Sequence, residues 1–331
     1  MHKVRSLVVP GGSSSSGSAS LNTVRFTKCG AYCVTAGDDR TVRLWNPHKS
    51  TSESDEALLI KAYGGQHAHA ILDVAIAHDN ARFVSAGVDK SMFVYDVVSG
   101  LVVRRIQGHE QRVNAVALNA QSTVLMSASY DQTVSFWDLR SNMRDPIQRL
   151  SDFKDSVTSL AITDNVIFAG SIDGCLRSYD LRQGLLNVDS FGTGESITCV
   201  RTTKDYRCAL SMCMSAVDAS DALLAPRTRQ GSGALRLTDA ASGKLLRSYS
   251  GHAHASFKSE CAVLSDDEHV AAGSEDGSVV LWGVVNGAVR ARAQGAHGRG
   301  VASLSCHPSR PLLLSAGYDG AAFLWEHRQG E

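Results

Sequence analysis

The chain carries no excess of either charge. Its 33 Lys and Arg are matched by 33 Asp and Glu, and the isoelectric point is near neutral. Without a long basic run it lacks the electrostatic footprint of a dedicated nucleic-acid grip, although a contact to RNA inside a larger complex stays compatible. No apolar run approaches the ~20 residues that a membrane-spanning helix needs. The apolar part of MHKVRSLVVPGG at the start is too short for a secretory signal. No Ser-centred elbow phrase and no Gly-rich loop ending in Lys is present, which removes the common signatures of acyl and phosphoryl transfer. Cysteine is present without a pattern. Most of Cys29, Cys33, Cys175, Cys199, Cys208, Cys213, Cys261 and Cys306 lie in apolar strand-like phrases, where free Cys packs as a small hydrophobe. Reduced thiols in cytosol or nucleus are the expectation.

What the chain does have is a recurring phrase. It reads AGDDRTVRLWN at 36–46, AGVDKSMFVYD at 86–96, ASYDQTVSFWD at 128–138 and GSIDGCLRSYD at 170–180. It returns as GSEDGSVVLW at 273–282 and AGYDGAAFLW at 316–325. The anchors Asp39, Asp89, Asp131 and Asp173 are 50, 42 and 42 residues apart, and Asp276 and Asp319 are 43 apart. The gap of 103 between Asp173 and Asp276 holds a degraded unit, ITCVRTTKDYRCALSMC at 197–213, resuming as GALRLTDAASG at 233–243. About seven units of ~40–45 residues have the period of propeller blades. Within each unit, short alternating runs separated by turn residues read as strands. The expectation is all-β: one seven-bladed propeller over residues 1–331, with no room for a second domain.

A propeller leaves a seam unless its termini share a blade. The chain stops soon after Trp325, in a third strand, and KVRSLVV at 3–9 alternates. It is expected to supply the missing outer strand and so protect the edge. Three segments interrupt the pattern. Residues 11–20 (GGSSSSGSAS) read as a flexible loop. Residues 50–57 (STSESDEA) form an acidic linker, and 214–232 an insertion between the second and third strands of blade five, with Arg227 and Arg229.

Gly-His before a unit and Trp-Asp at its end make the chain resemble the WD-repeat family. The resemblance implies a buried network in each blade, clearest here as His109, Ser127 or Ser129, Asp131 and Trp137. It would satisfy polar groups that burial otherwise strands. That structural role outweighs catalysis for these residues. It also outweighs a metal reading of His67/His69 and His252/His254. Cys29 and Cys33 have no second pair to complete a zinc site. Gly-Thr-Gly at 192–194 lacks the helix a phosphate loop would use. No cofactor and no metal are expected.

Function is then a matter of surface. Aligning inner strands by apolar phase puts Asn22, Leu72, Asn114, Thr158, Thr198, Glu260 and Ala302 at the upper mouth of the central channel. This ring is small and polar, with one acid and no aromatic. FAGSIDGCLRSYDLRQG at 168–184, SITCV at 196–200, SGHAHASFKSECAVLSDDEHVAAGSEDG at 250–277, WNP at 45–47 and CHPSRPLLLSAG at 306–317 exceed the generic repeat. Together they resemble the mitogen-activated protein kinase organizer family, whose members are also found as spliceosome-associated factors. The resemblance implies a non-catalytic scaffold with protein partners, monomeric within a larger assembly, in nucleus and cytoplasm. Pre-mRNA splicing ranks first as the more general role, beside kinase-module assembly. Two alternatives compete. WDLR at 137–140 and YDLR at 179–182, with Arg140 and Arg182 on adjacent blades, fit a substrate receptor of a cullin ubiquitin ligase. An arginine-peptide reader of a histone methyltransferase complex would need aromatic faces at the mouth, and the ring offers Glu260 instead.

Overall fold

A computed structural model describes residues 1–7, 19–50, 55–163, 165–190, 195–215 and 233–327. Seven four-stranded antiparallel sheets account for every strand, and no helix occurs among the described residues. Six sheets follow chain order from inner to outer strand. Blade three shows the layout: Val113–Leu118, Val124–Ser129, Val134–Asp138 and Gln148–Leu150. The second strands are buried along nearly their whole length, because each sheet is covered on both faces by its neighbours. The small residues of the repeated phrase make that approach possible. A Cβ on Gly170 would lie 2.6 Å from Ile197 of the next blade, and one on Gly273 2.8 Å from Val301. The core is accordingly divided into layers between blades. Met126, Ala128 and Phe136 of blade three, for example, pack on Leu160, Ile167 and Ala169 of blade four.

The ring closes as the terminal phrases suggest. His2–Leu7 pairs antiparallel with Ala322–Glu326, with Lys3 opposite Trp325 and Leu7 opposite Ala322. Leu7 is fully buried among Leu21, Leu312 and Leu324, which ties blade seven to blade one. Ser6 donates its N–H to the Asp55 carbonyl beside the acidic linker. The strand begins one residue earlier than the alternation at 3–9, whose residues 8 and 9 lie outside the described residues. Blade five is complete: Cys208–Ser215 pairs with Ala234–Asp239 across the insertion. The 11–20 loop up to residue 18, residues 51–54 and 216–232 with Arg227 and Arg229, and the 192–194 glycine phrase lie outside the described residues.

The polar network is present, with its serine resolved. His109 Nδ1 is 2.8 Å from Asp131, and its Nε2 is 2.7 Å from Ser127 Oγ. The Trp137 indole donates to the same oxygen at 2.8 Å. A neutral imidazole protonated on Nδ1 satisfies every atom. Ser129 is not part of it; its hydroxyl donates to the Arg112 carbonyl. Blade seven repeats the arrangement with His297, Ser315, Asp319 and Trp325. Blade two does so with His67, Ser85 and Asp89, with Tyr95 replacing Trp.

Blades one, four and five solve the same problem differently. Each places an arginine on the third strand, at one shared register position, against an acid: Arg43 with Asp39, Arg177 with Asp173 at 2.8 Å, and Arg236 with Glu195 at 2.7 Å. In blade four Phe153 stands where others have histidine, and the Arg177 guanidinium lies 4.9 Å over its ring. Blade six breaks the network. Ala272 occupies the register position of Ser127. His252 packs edge-on against Trp282, but neither ring nitrogen has a hydrogen-bond partner. Burial, then His254 and Arg292, lower its pKa to about 4.

Candidate functional site: the channel and its mouths

The residues inferred for the upper mouth are mostly committed to holding the blades together. Asn22 donates to the Ile71 carbonyl, Asn114 to that of Val157, and Thr158 to that of Ile197. Thr198 donates to the Ser259 carbonyl and touches His254 Nε2 at 2.9 Å. Each side chain thus reaches the inner strand of the next blade, and together they form a hoop. Leu72 and Ala302 have no polar atom to contribute, and Ala302 is buried.

Glu260 does not belong to this ring. Ser259 holds the position in blade six, its hydroxyl donating to the Val301 carbonyl at 2.8 Å. The longer loop before this blade shifts the apolar phase by one residue, and a one-residue slip sends the side chain to the other face. Glu260 therefore points into the channel. There it accepts from Arg25 at 2.7 and 2.8 Å and from the Ser303 hydroxyl at 2.6 Å, and Arg201 stands 3.2 Å away. Asp73 completes the layer. It accepts from Arg25 at 2.7 Å and from the backbone N–H groups of Val74 and Val116. Burial opposes ionisation of Glu260, but Arg25 and Arg201 overcome it and hold its carboxyl well below the usual range. The layer crosslinks blades one, two, three, five, six and seven through the axis.

Above it, Lys258 reaches across the channel. Its ammonium donates to the carbonyls of Asn114 at 3.3 Å and Thr158 at 3.4 Å on the far side. The mouth is also not free of aromatics. Tyr318 donates its hydroxyl to the Lys258 carbonyl at 2.7 Å and packs on the exposed Phe257, ring centroids 5.7 Å apart and tilted by 51°. The two rings touch, so no guanidinium plane fits between them in this arrangement. Of these channel residues, Arg25, Asp73 and Arg201 escaped the sequence reading. Their signal is a charge on an inner strand where sister strands are uncharged: LNTVRF, ILDVAI and ITCVRT against VNAVAL.

The lower mouth opens into a cavity of about 450 Å³ lined by inner strands of blades one to four, with Lys28, His78, Asn119, Thr163 and Tyr206 at its edge. No acid lines it. Arg140 and Arg182 project from turns on this lower face, both exposed. Arg140 pairs with its own Asp138 at 3.2 Å. The backbone N–H of Arg182 caps Asp180.

The metal alternatives are limited by geometry. His67 is held by Asp89 and Ser85 while His69 is exposed, and Cys29 is exposed while Cys33 is buried. Among the described residues, ligand atoms of Asp266, Glu268 and His269 come within 4.8 Å of one another. Asp266 caps the backbone of Glu268 and His269 and holds His269 Nδ1, which accounts for its two oxygens as a turn device.

The WD domain, G-beta repeat family matches at residues 11–46, 60–96, 100–138, 243–283 and 291–326. The unmatched stretch 139–242 holds blade four and the first three strands of blade five, where arginine replaces the histidine network. A rat protein named WD repeat domain-containing protein 83 is 38% identical over 300 residues, covering 91% of this chain and 86% of its own. The human protein of that name is 38% identical over 315 residues, covering 95% and 91%. The one from Xenopus tropicalis is 39% identical over 305 residues, covering 92% and 88%.

Proposed function

The chain belongs to the WD-repeat family, and from that premise we propose that it is a non-catalytic assembly scaffold that organises a mitogen-activated protein kinase module in nucleus and cytoplasm. One observation carries the reading: similarity over 91% and 95% of the chain to proteins named WD repeat domain-containing protein 83. The resemblance of 250–277 and 306–317 to the organizer family supports the kinase setting. The architecture suits a platform. His67, His109 and His297 are engaged in blade networks with Asp89, Asp131 and Asp319, and the axis is crosslinked by Arg25, Asp73, Glu260 and Arg201. What remains available is the outer surface of a rigid ring.

Affinity purification of the full chain, with mass spectrometry of the bound proteins, tests this. Kinases of one cascade are the expected companions. Splicing factors in their place would move the chain to the spliceosome-associated role. A cullin adaptor lost on mutating Arg140 and Arg182 to Ala would establish the ligase-receptor reading. Recovery of no protein partner, with turnover of a small molecule, would refute the scaffold.

A further inference from the structure

The lower face between blades one and two differs from the rest of the rim. Tyr32, Val34, Leu44, Ile60, Tyr63, Phe83, Val97 and Val98 border a groove of about 370 Å³. Three of them stay uncovered: Val98 is 86% exposed, Ile60 46% and Tyr32 39%. Scattered single apolar residues need no explanation, but a contiguous set around a concavity marks an interaction site. A volume of this size takes one or two large side chains.

The groove has a charged neighbour. Thr27 and Cys29 line it, while Lys28, between them, lines the channel cavity on the other side of the same turn, and Ile76 lines both. The turn is held rigid: Asn80 accepts the Lys28 backbone N–H at 3.0 Å, and the Thr27 hydroxyl donates to the Tyr32 carbonyl at 2.9 Å. Its own side chain is in no such bond. Among the described residues the Lys28 ammonium has no acid partner, and the cavity it faces contains no carboxylate. An unpaired cation next to an open apolar groove is complementary to a carboxylate next to a bulky apolar side chain.

We propose that this groove docks an extended protein segment that places a large apolar side chain among Tyr32, Ile60 and Val98 and an Asp or Glu side chain at Lys28. The proposal rests on the scaffold reading only in taking a protein segment as ligand. It does not depend on which assembly that segment belongs to. Docking here leaves the upper face free, so one ring holds two partners at once.

Cys29 provides a reporter inside the groove. It is exposed, and although burial pushes its thiol up, the Thr27 hydroxyl at 3.4 Å and the Ala31 backbone outweigh this and lower its pKa. A thiol of that kind alkylates readily. Random short peptides displayed on phage are selected on the full chain, with counter-selection on a Lys28→Glu, Val98→Asp double variant. Both sites are exposed, so the variant keeps its melting behaviour. The enriched peptides are expected to share a bulky apolar residue close to Asp or Glu. Their affinity should fall at least about tenfold in each single variant, and stay unchanged in Arg112→Ala on the upper face. A saturating peptide should slow maleimide labelling of Cys29 at least about fivefold, as mapped by mass spectrometry. Absence of enrichment over the double variant, a basic consensus, retained affinity in Lys28→Glu, or unchanged Cys29 labelling would each overturn the proposal. None of these outcomes bears on kinase co-purification, so the two readings fail separately.

Discussion

Blade six permits a direct test of the polar network, because it lacks one atom of it. In blades three and seven a single serine hydroxyl joins imidazole and indole at 2.7 to 2.8 Å. In blade six the position is Ala272, His252 is unpartnered, and the Trp282 indole turns to the Ser250 carbonyl at 3.2 Å. Ala272→Ser restores the missing oxygen. The serine gives one buried, unsatisfied His252 nitrogen a partner, worth roughly 1–3 kcal/mol, while the Trp282 indole only exchanges the Ser250 carbonyl for the new oxygen. Fitting an oxygen into a fully packed site costs about 1 kcal/mol or more. The net expectation is a gain of about 1 kcal/mol. The reverse change, Ser127→Ala, leaves a buried imidazole nitrogen and a buried indole N–H unsatisfied and should cost about 2–4 kcal/mol.

Urea denaturation followed by tryptophan fluorescence reads both, since three of the tryptophans lie in these blades. The pH profile adds an independent readout. Burial, in each case the leading cause, lowers the pKa values of His252 and His254 to about 4. The unfolded chain therefore binds protons that the folded one refuses between about pH 6.5 and 4. Stability contributed by these neutral rings is fully present above pH 6.5 and is lost as pH falls through that window. The slope is up to roughly 1.4 kcal/mol per pH unit for each imidazole. His252→Phe keeps an aromatic ring against Trp282 and should remove its share of the slope. A destabilised Ala272→Ser together with a harmless Ser127→Ala, or a flat profile from pH 6.5 to 4, would refute the reasoning.

Deleting residues 2–7 uncovers the Ala322–Glu326 edge and removes Leu7 from the seam, so calorimetry should show the entire ring melting at lower temperature. Leu7 alone accounts for about 2–3 kcal/mol; an unchanged melt would exclude its closing role. Glu260→Gln leaves Arg25 with Asp73 and takes the carboxylate from beside Arg201, and urea titration should show a loss of about 3–5 kcal/mol. Lys90 follows the anchor Asp89 with φ of 61°, where three sister turns use Gly174, Gly277 and Gly320. Lys90→Gly relieves about 1 kcal/mol of left-handed strain against about 0.5 kcal/mol of added chain entropy, so the denaturation midpoint should rise slightly.

The repeat was legible because its chemistry is local. Each anchor Asp accepts the backbone N–H two residues on, as Asp131 does from Thr133 and Asp319 from Ala321, so one turn recurs at one spacing. The channel layer was not legible, because Arg25 and Glu260 are 235 residues apart and no local pattern couples them. Glu260 was misplaced for a related reason: apolar phase fixes a face only while the loop before the strand keeps its length, and the loop at 250–259 does not. The network of the divergent blades lies between these cases. Units without a histidine in the network carry Arg two residues before the position of the aromatic, in VRLW, LRSY and LRLT, whereas units with a histidine, preceded by Gly or not, carry Ser, Phe or Val there. A buried acid needs either an imidazole or a guanidinium, and one chain displays both solutions side by side. That exchange locks the upper turns of every blade but the sixth to a shared frame. Among the described residues the turns of the lower face carry no such network, so they vary from blade to blade, and blade one is able to place Lys28 and Cys29 on either side of a single turn.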